Sequence, residues 1–273
     1  MGKRLILLML SFSLSFLIGC ASVEERFSFI NPAKEILSNN RFVVVPSSVI
    51  HEYVPCDSDI DGYLKGDQEI WQKEIGTHLL KQFTEKGIKS GVELLNPSEF
   101  KKKLEASLAK NGRKGFMNPN TGTFDEDFYK DVMSDLAGQY KAPLIVPRLI
   151  LKTASFSSAG IMRFSAKAKW DGVSRTVETG GSAFGRFMAA GLGGERHVSG
   201  NAPVYSLHVE IYNSKGMAFW SNGGFDVKEK VSAGFVGTAD LVKRENIAEL
   251  FGEKNKDNMK ECIEVAFEPL LSE

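Results

Sequence analysis

The densest group of ligand-type side chains is Asp57-Ser58-Asp59-Ile60-Asp61-Gly62, three carboxylates at alternate positions closed by a glycine. Alternation of this kind lets a loop curl around a hard cation, with glycine allowing the sharp turn at its end. Asp57, Asp59 and Asp61 are therefore candidate ligands for a structural calcium ion, and no other cofactor is expected. Two features point the other way. The position where such loops carry a bidentate glutamate is Gln68, with Glu69 one residue late, and a strand-like segment precedes the loop where a helix is usual. The alternative is a solvated acidic loop ahead of a helix, its carboxylates favoured by the helix N-terminus. Cys56 and Cys262 are the next candidates. In an oxidising compartment they form an even pair for a disulfide, while the competing reading makes Cys262 a small apolar residue buried on its helix. For catalysis the inventory is poor. His51, His78, His197 and His208 occur in no metal-ligand spacing, and neither a Gly-x-Ser-x-Gly elbow nor a His-Glu-x-x-His pair is present. Ordinary surface roles suffice for His78 and His208, and an enzyme is not the expectation.

A different chemistry sits at residue 20. Lys3 and Arg4 make a basic start, Leu5 to Ile18 is an apolar run broken only by serines, and small residues lead into Cys20. The run is about 14 residues, the length of a signal-peptide core and short of the roughly 20 needed to span a bilayer. Leu17-Ile18-Gly19-Cys20 resembles the lipobox of bacterial lipoproteins. The resemblance implies a diacylglycerol on the Cys20 sulfur, removal of residues 1–19 and acylation of the new amino terminus, so that Cys20 is the lipidation site and the membrane a partner. Ala21, in place of an aspartate, implies the outer membrane, with attachment made permanent by several acyl chains. Removing residues 1–19 leaves 254 residues and takes away Lys3 and Arg4, so the net charge falls from zero to −2. That length suits one large domain or two small ones. The near-neutral charge offers no footprint for nucleic acid and no polybasic membrane patch.

The elements that must position these residues follow from periodicity. Residues 20–40 read as a tether with one helical turn after Pro32, and Phe27, Phe29 and Ile30 are apolar enough to dock. Residues 41–273 read as one folded domain beginning at Phe42-Val43-Val44-Val45, a β-branched run suited to a strand buried on both faces. Trp71, Ile75, Leu79 and Phe83 recur every four residues and predict a helix from Asp67 to Lys86, stopped by Gly87. A strand follows at Gly91 to Leu95. Pro97 opens a helix carrying Phe100, Leu104 and Leu108, and Thr123-Phe124-Asp125-Glu126 reads as a capping box before a helix with Phe128, Val132 and Leu136. Leu144 to Leu151 is the next strand. From there the period changes from four to two, at Met162 to Trp170 and Tyr205 to Tyr212, which predicts half-buried antiparallel strands. Asn213-Ser214-Lys215-Gly216 turns the second into Met217 to Trp220, and two helices close the chain, the last carrying Met259, Ile263, Phe267 and Leu270. The fold class is α/β: a single three-layer-like domain with a mixed β-sheet, an antiparallel C-terminal meander and flanking helices.

The opening strand, the helix ending in Gly87, Leu94-Leu95-Asn96-Pro97 and the Tyr205 to Trp220 hairpin with its Lys215-Gly216 turn resemble, as an order of elements, the envelope assembly lipoproteins. These are the curli secretion channel, the lipoprotein activators of peptidoglycan synthases and the N-terminal domain of the Tol-Pal propeller protein. The resemblance implies an envelope binding or assembly role. Between two strands lies a glycine-rich loop at 177–203. It is not a phosphate loop, because Arg186-Phe187 stands where Lys-Ser/Thr is required. Gly181, Gly185, Ala189 and Gly193 recur every four residues and would form a flat stripe on a helix, with Phe184, Phe187 and Met188 as apolar bulk beside it. The alternative is a plain flexible connection. A barrel hairpin needs two strands of about 9 to 11 alternating residues, which residues 183–194 do not supply. The functional expectation is a lipid-anchored, non-enzymatic binding or assembly module in the periplasm at the outer membrane. Its partner is an unidentified envelope protein or another copy of itself. An oligomeric export channel or ring subunit and an envelope hydrolase are the alternatives.

Overall fold

The computed structural model describes residues 25–55, 70–157, 165–178, 199–233, 239–243, 250 and 255–272. In chain order the elements are β1 (Phe27–Phe29), α1 (Ala33–Leu37), β2 (Arg41–Val44), α2 (Ser47–Tyr53), α3 (Ile70–Lys86), β3 (Gly91–Leu94), α4 (Pro97–Lys110), α5 (Glu126–Tyr140), β4 (Leu144–Ser157), β5 (Ser165–Trp170), β6 (Val173–Glu178), β7 (Ser199–Asn213), β8 (Gly216–Val227), β9 (Glu229–Ala233), β10 (Ala239–Lys243) and α6 (Lys256–Leu271). The main sheet runs β1-β8-β7-β4-β2-β3, parallel where β2 meets β3 and β4 and antiparallel from β4 outward. The α/β sandwich with a mixed sheet and an antiparallel meander is therefore observed. β9 and β10 form a separate two-stranded hairpin.

The run at β2 shows why the fold has three layers. Phe42 and Val44 enter a core with Trp71, Ile75, Leu79 and Phe83 of α3 and with α6, while Val43 and Val45 enter a second core under α2, α4 and α5. A strand covered on both faces needs apolar side chains at both parities, and this one has them. Gln72 of α3 reaches into the sheet, and its side-chain amide donates to the carbonyls of Val44 and Leu95 at 2.7 and 2.8 Å, satisfying groups where β2 and β3 stop.

Several boundaries differ from the sequence reading, each for a local reason. Residues 27–37 are part of the body: β1 pairs with β8, and Ala33 and Ile36 of α1 are buried in the core. The tether therefore ends before Arg26. Helix α2, which was not anticipated, starts directly after Pro46. Helix α5 is capped by Asp125, whose carboxylate accepts from the Phe128 amide at 3.2 Å, while the Thr123 hydroxyl is engaged with Thr121 at 2.7 Å. Its buried stripe is Tyr129, Val132, Met133 and Leu136, one position on from Phe128. Strand β7 begins at Ser199 and β6 runs to Glu178, so the strands take residues at both ends of the expected 177–203 loop.

The C-terminal half of β4 and the N-terminal half of β7 continue as an arm, paired from Leu151↔Tyr205 to Ser157↔Ser199. Strand β5 joins the end of β4, and the Asp171-Gly172 turn, with φ of 39° and 80°, sends the chain back as β6. Both central residues with φ > 0 make the tight hairpin turn that Asp-Gly favours. The hairpin folds over the arm and encloses a third core of Ala154, Phe156, Ala166, Ala168, Trp170, Val173, Ala202, Val204 and Val227. It reaches β8 through single bonds: Gly224 N to Asp171 O at 3.0 Å and Arg175 Nε to Phe225 O at 2.9 Å. Phe225 is the extra residue of a bulge in β8, opposite Tyr205 and Ser206. A bulge leaves one residue outside the ladder, and its carbonyl is taken here by Arg175.

Candidate functional site

Along β4 and β7 the face beneath α5 changes from apolar to polar and back to apolar. Leu144, Val146 and Tyr212 belong to the second core, Ala154, Phe156, Ala202 and Val204 to the third. Between them lie Arg148, Ile150 and Lys152 of β4 and Ser206, His208 and Glu210 of β7. Strict alternation puts these residues on one face. The register sets His208 across from Arg148 on one side and from Asn222 of β8 on the other, forming one row across three strands.

This polar face is covered. Glu210 is only 4% exposed and Ser206 is fully buried. Ser206 and Glu210 therefore do not face solvent as a half-buried strand implies, and the His208 side chain is only 15% exposed. Glu210 is the centre of the cluster. Its Oε2 accepts from the Tyr129 hydroxyl of α5 at 2.9 Å and its Oε1 from the Arg148 guanidinium at 3.0 Å. His208 Nε2 lies 3.3 Å from the same Oε1, and its Nδ1 is 2.7 Å from Asn222 Oδ1. The imidazole is also flanked by Trp220, ring centroids 5.9 Å apart. Burial alone would raise the Glu210 carboxyl, but Arg148, His208 and Tyr129 outweigh it and hold the group down to about 2. Burial, then the neighbouring Glu210 charge, pushes the Tyr129 hydroxyl well above its ordinary range.

A second cluster continues the stripe toward the arm. Asp171, at the hairpin tip, accepts from Lys152 Nζ at 3.0 Å and from the Ser206 hydroxyl at 2.6 Å. Its side chain is 1% exposed. The turn residue thus fixes the hairpin to the sheet as well as bending the chain. His51 of α2 supports the same strand from the edge, its Nε2 accepting from the Leu149 amide at 3.1 Å. That edge of β4, between its pairings with β2 and β5, has no strand partner among the described residues.

Chemically the stripe is a set of ion pairs and hydrogen bonds, with the buried Arg148 Nε left without a partner among the described residues. The Glu210 carboxyl lies far below the range a general acid or base needs at neutral pH. Ser206 donates to a carboxylate, and among the described residues no imidazole or free amine is hydrogen-bonded to it to raise its nucleophilicity. A cleft of about 220 Å³ opens elsewhere, between α1 and the β7–β8 turn, lined by Asn31, Glu35, Ser38, Asn39, Ser214 and Lys215 among others. Its Asn31 amide donates to Glu35 at 3.3 Å and its Asn39 amide to the Ile36 carbonyl at 2.7 Å.

Cys262 is a free, fully buried thiol in α6, and burial pushes its pKa well up. Its carbonyl lies 2.0 Å from where a Cβ on Gly223 would sit, a separation that leaves no room beside the helix backbone. Of the other expected sites, Cys20, Cys56, Asp57, Asp59 and Asp61 lie outside the described residues. So do Gly181, Phe184, Gly185, Phe187, Met188, Ala189 and Gly193. Among the described residues no group of three or more metal-type side chains converges, and no helix is long and apolar enough to cross a membrane. The sequence did carry one signal for the polar stripe: Asp171-Gly172 between two alternating runs marks a hairpin whose tip bears a carboxylate. Compared with known proteins, the chain matches no family model, no curated protein and no solved structure.

Proposed function

We propose that this is a lipid-anchored cell-envelope protein that acts by binding rather than by turnover. Acylated Cys20 holds it at the outer membrane on the periplasmic side. It contacts an envelope protein or another copy of itself through residues 180–194. The observation that carries the reading is the state of Glu210: both carboxylate oxygens are occupied, Arg148 is paired to it, and its pKa is held to about 2. The Glu210 contacts thereby join α5, β4, β7 and β8, and its carboxyl carries no proton near neutral pH. The arm supports the choice of contact surface. The connection at 179–198 leaves from Glu178 of β6 and returns at Ser199 of β7, the residue that pairs with Ser157 at the last step of the arm.

The test is deletion of residues 180–194 from the lipidated protein. Mass in mild detergent and crosslinking in the envelope are both measured. The expected result is loss of the associated species, with an unchanged circular dichroism spectrum. Association that survives the deletion moves the contact surface elsewhere.

A further inference from the structure

The first strand and the residue that follows it carry two exposed apolar side chains, Phe27 at 39% and Ile30 at 56%. The place where the chain leaves the fold is fixed just before them. Arg26 accepts from the Asn222 amide through its carbonyl at 2.8 Å, and its guanidinium donates to the Val265 carbonyl at 3.2 Å and to Glu268 at 3.1 Å. Six peptide steps separate Cys20 from Arg26, a reach of at most about 20 Å at roughly 3.3–3.6 Å per residue. An acylated Cys20 therefore confines this edge to the membrane surface, whatever the orientation of the rest.

We propose that the outer edge of β1 lies against the phospholipid surface, with Phe27 and Ile30 entering the headgroup and acyl boundary. This rests on the acylated Cys20 of the preceding reading. The chemistry around the two residues suits such an interface. The Arg26 guanidinium lies 5.9 Å from the centroid of the Phe27 ring, and Trp220, half-buried, stands across the ladder from Ser28. Aromatic and basic side chains concentrate at bilayer surfaces for their mixed character. Leu94, 44% exposed, sits on β3 at the opposite edge of the sheet. Five strand spacings of about 4.8 Å put it roughly 24 Å from β1. It serves as the internal control.

The experiment uses the full-length acylated protein in vesicles of phosphatidylethanolamine and phosphatidylglycerol. A Cys56→Ser background is used, and a nitroxide is placed singly at positions 27, 30, 94 and 151. Circular dichroism of each labelled protein is matched to the parent. Collision with oxygen and with a water-soluble nickel chelate is compared at each position. Labels at 27 and 30 are expected to lose several-fold in nickel collision on vesicle binding while 94 and 151 keep their solution values. Equal nickel access at 27, 30 and 94 overturns the proposal. Protection of 27 and 30 in the Cys20→Ala protein without vesicles also overturns it, because a second copy then covers the edge. Failure of the protein to sediment with vesicles, or equal sedimentation of Cys20→Ala, marks failure of the anchor itself and so withdraws the basis of the proposal. Sedimentation without protection rejects only the docked edge.

Discussion

Glu210 is the residue on which the interior electrostatics turn. A buried carboxylate is tolerated only when its charge and lone pairs are met, and removing one partner leaves the other uncompensated. Glu210→Gln leaves Arg148 without its counter-charge, and a loss of about 3–5 kcal/mol in urea unfolding is expected. Tyr129→Phe keeps the ion pair and drops one donor, with an expected cost of about 1–3 kcal/mol. The acid limb of stability carries the same information. The folded carboxyl is held at about 2, below an unfolded value near about 4.3. Its stabilising contribution is therefore complete above the unfolded value and is lost as pH falls through the folded one. The gap in urea midpoint between wild type and Glu210→Gln should hold from about pH 7 to about pH 5.5 and close toward about pH 2. None of this was readable from alternation alone. Ser206, His208, Glu210 and Tyr212 look like the wet side of a strand because a period of two separates the faces without saying what covers them.

At the scale of elements, the helices were legible where a stripe met a breaker. α3 and α4 bury the side chains that their four-residue spacing picks out, and Gly87, with φ of 68°, ends the first of them. The β5–β6 hairpin was less legible because its core face is built from Ala166 and Ala168, which carry little hydrophobic contrast. Its docking depends on two glycines of β8 that sit back to back. A Cβ on Gly223 would meet the Cys262 carbonyl of α6 at 2.0 Å, and one on Gly224 would meet Val173 at 2.3 Å and the Trp170 carbonyl at 2.8 Å. The sheet is gripped from both faces at this point, by helix backbone on one and hairpin tip on the other. Gly223→Ala must displace a helix backbone and is expected to cost at least the upper end of the about 1–3 kcal/mol typical of overpacking. Gly224→Ala should fall lower, since its nearest backbone contact is at 2.8 Å rather than 2.0 Å. Thermal unfolding of the two variants checks the order.

At the scale of the molecule, the three layers followed from the double-sided run at Phe42 to Val45, but the extent of the body did not. Residues 27–37 read as tether because three strand residues and five helical ones are too few to show a period. Their place is set by partners far along the chain: β1 by Ser221, Trp220 and Phe219 of β8, and Arg26 by Val265 and Glu268 of α6. Starting the chain at residue 25 should leave its unfolding midpoint unchanged. Starting it at residue 40 should lower it clearly, since the latter uncovers Phe219, whose ring centroid lies 4.8 Å from that of Phe29. Urea titration of the two truncations measures the difference. The Arg26 contacts also have a consequence for how the chain is made. They join residues 239 and 242 positions apart, so the first strand gains its lock only after the last helix has been synthesised. Contacts of such separation close late and slowly. A growing chain of this protein keeps its leading end unfastened for nearly the whole of its synthesis, the condition in which a polypeptide can still be threaded through a pore.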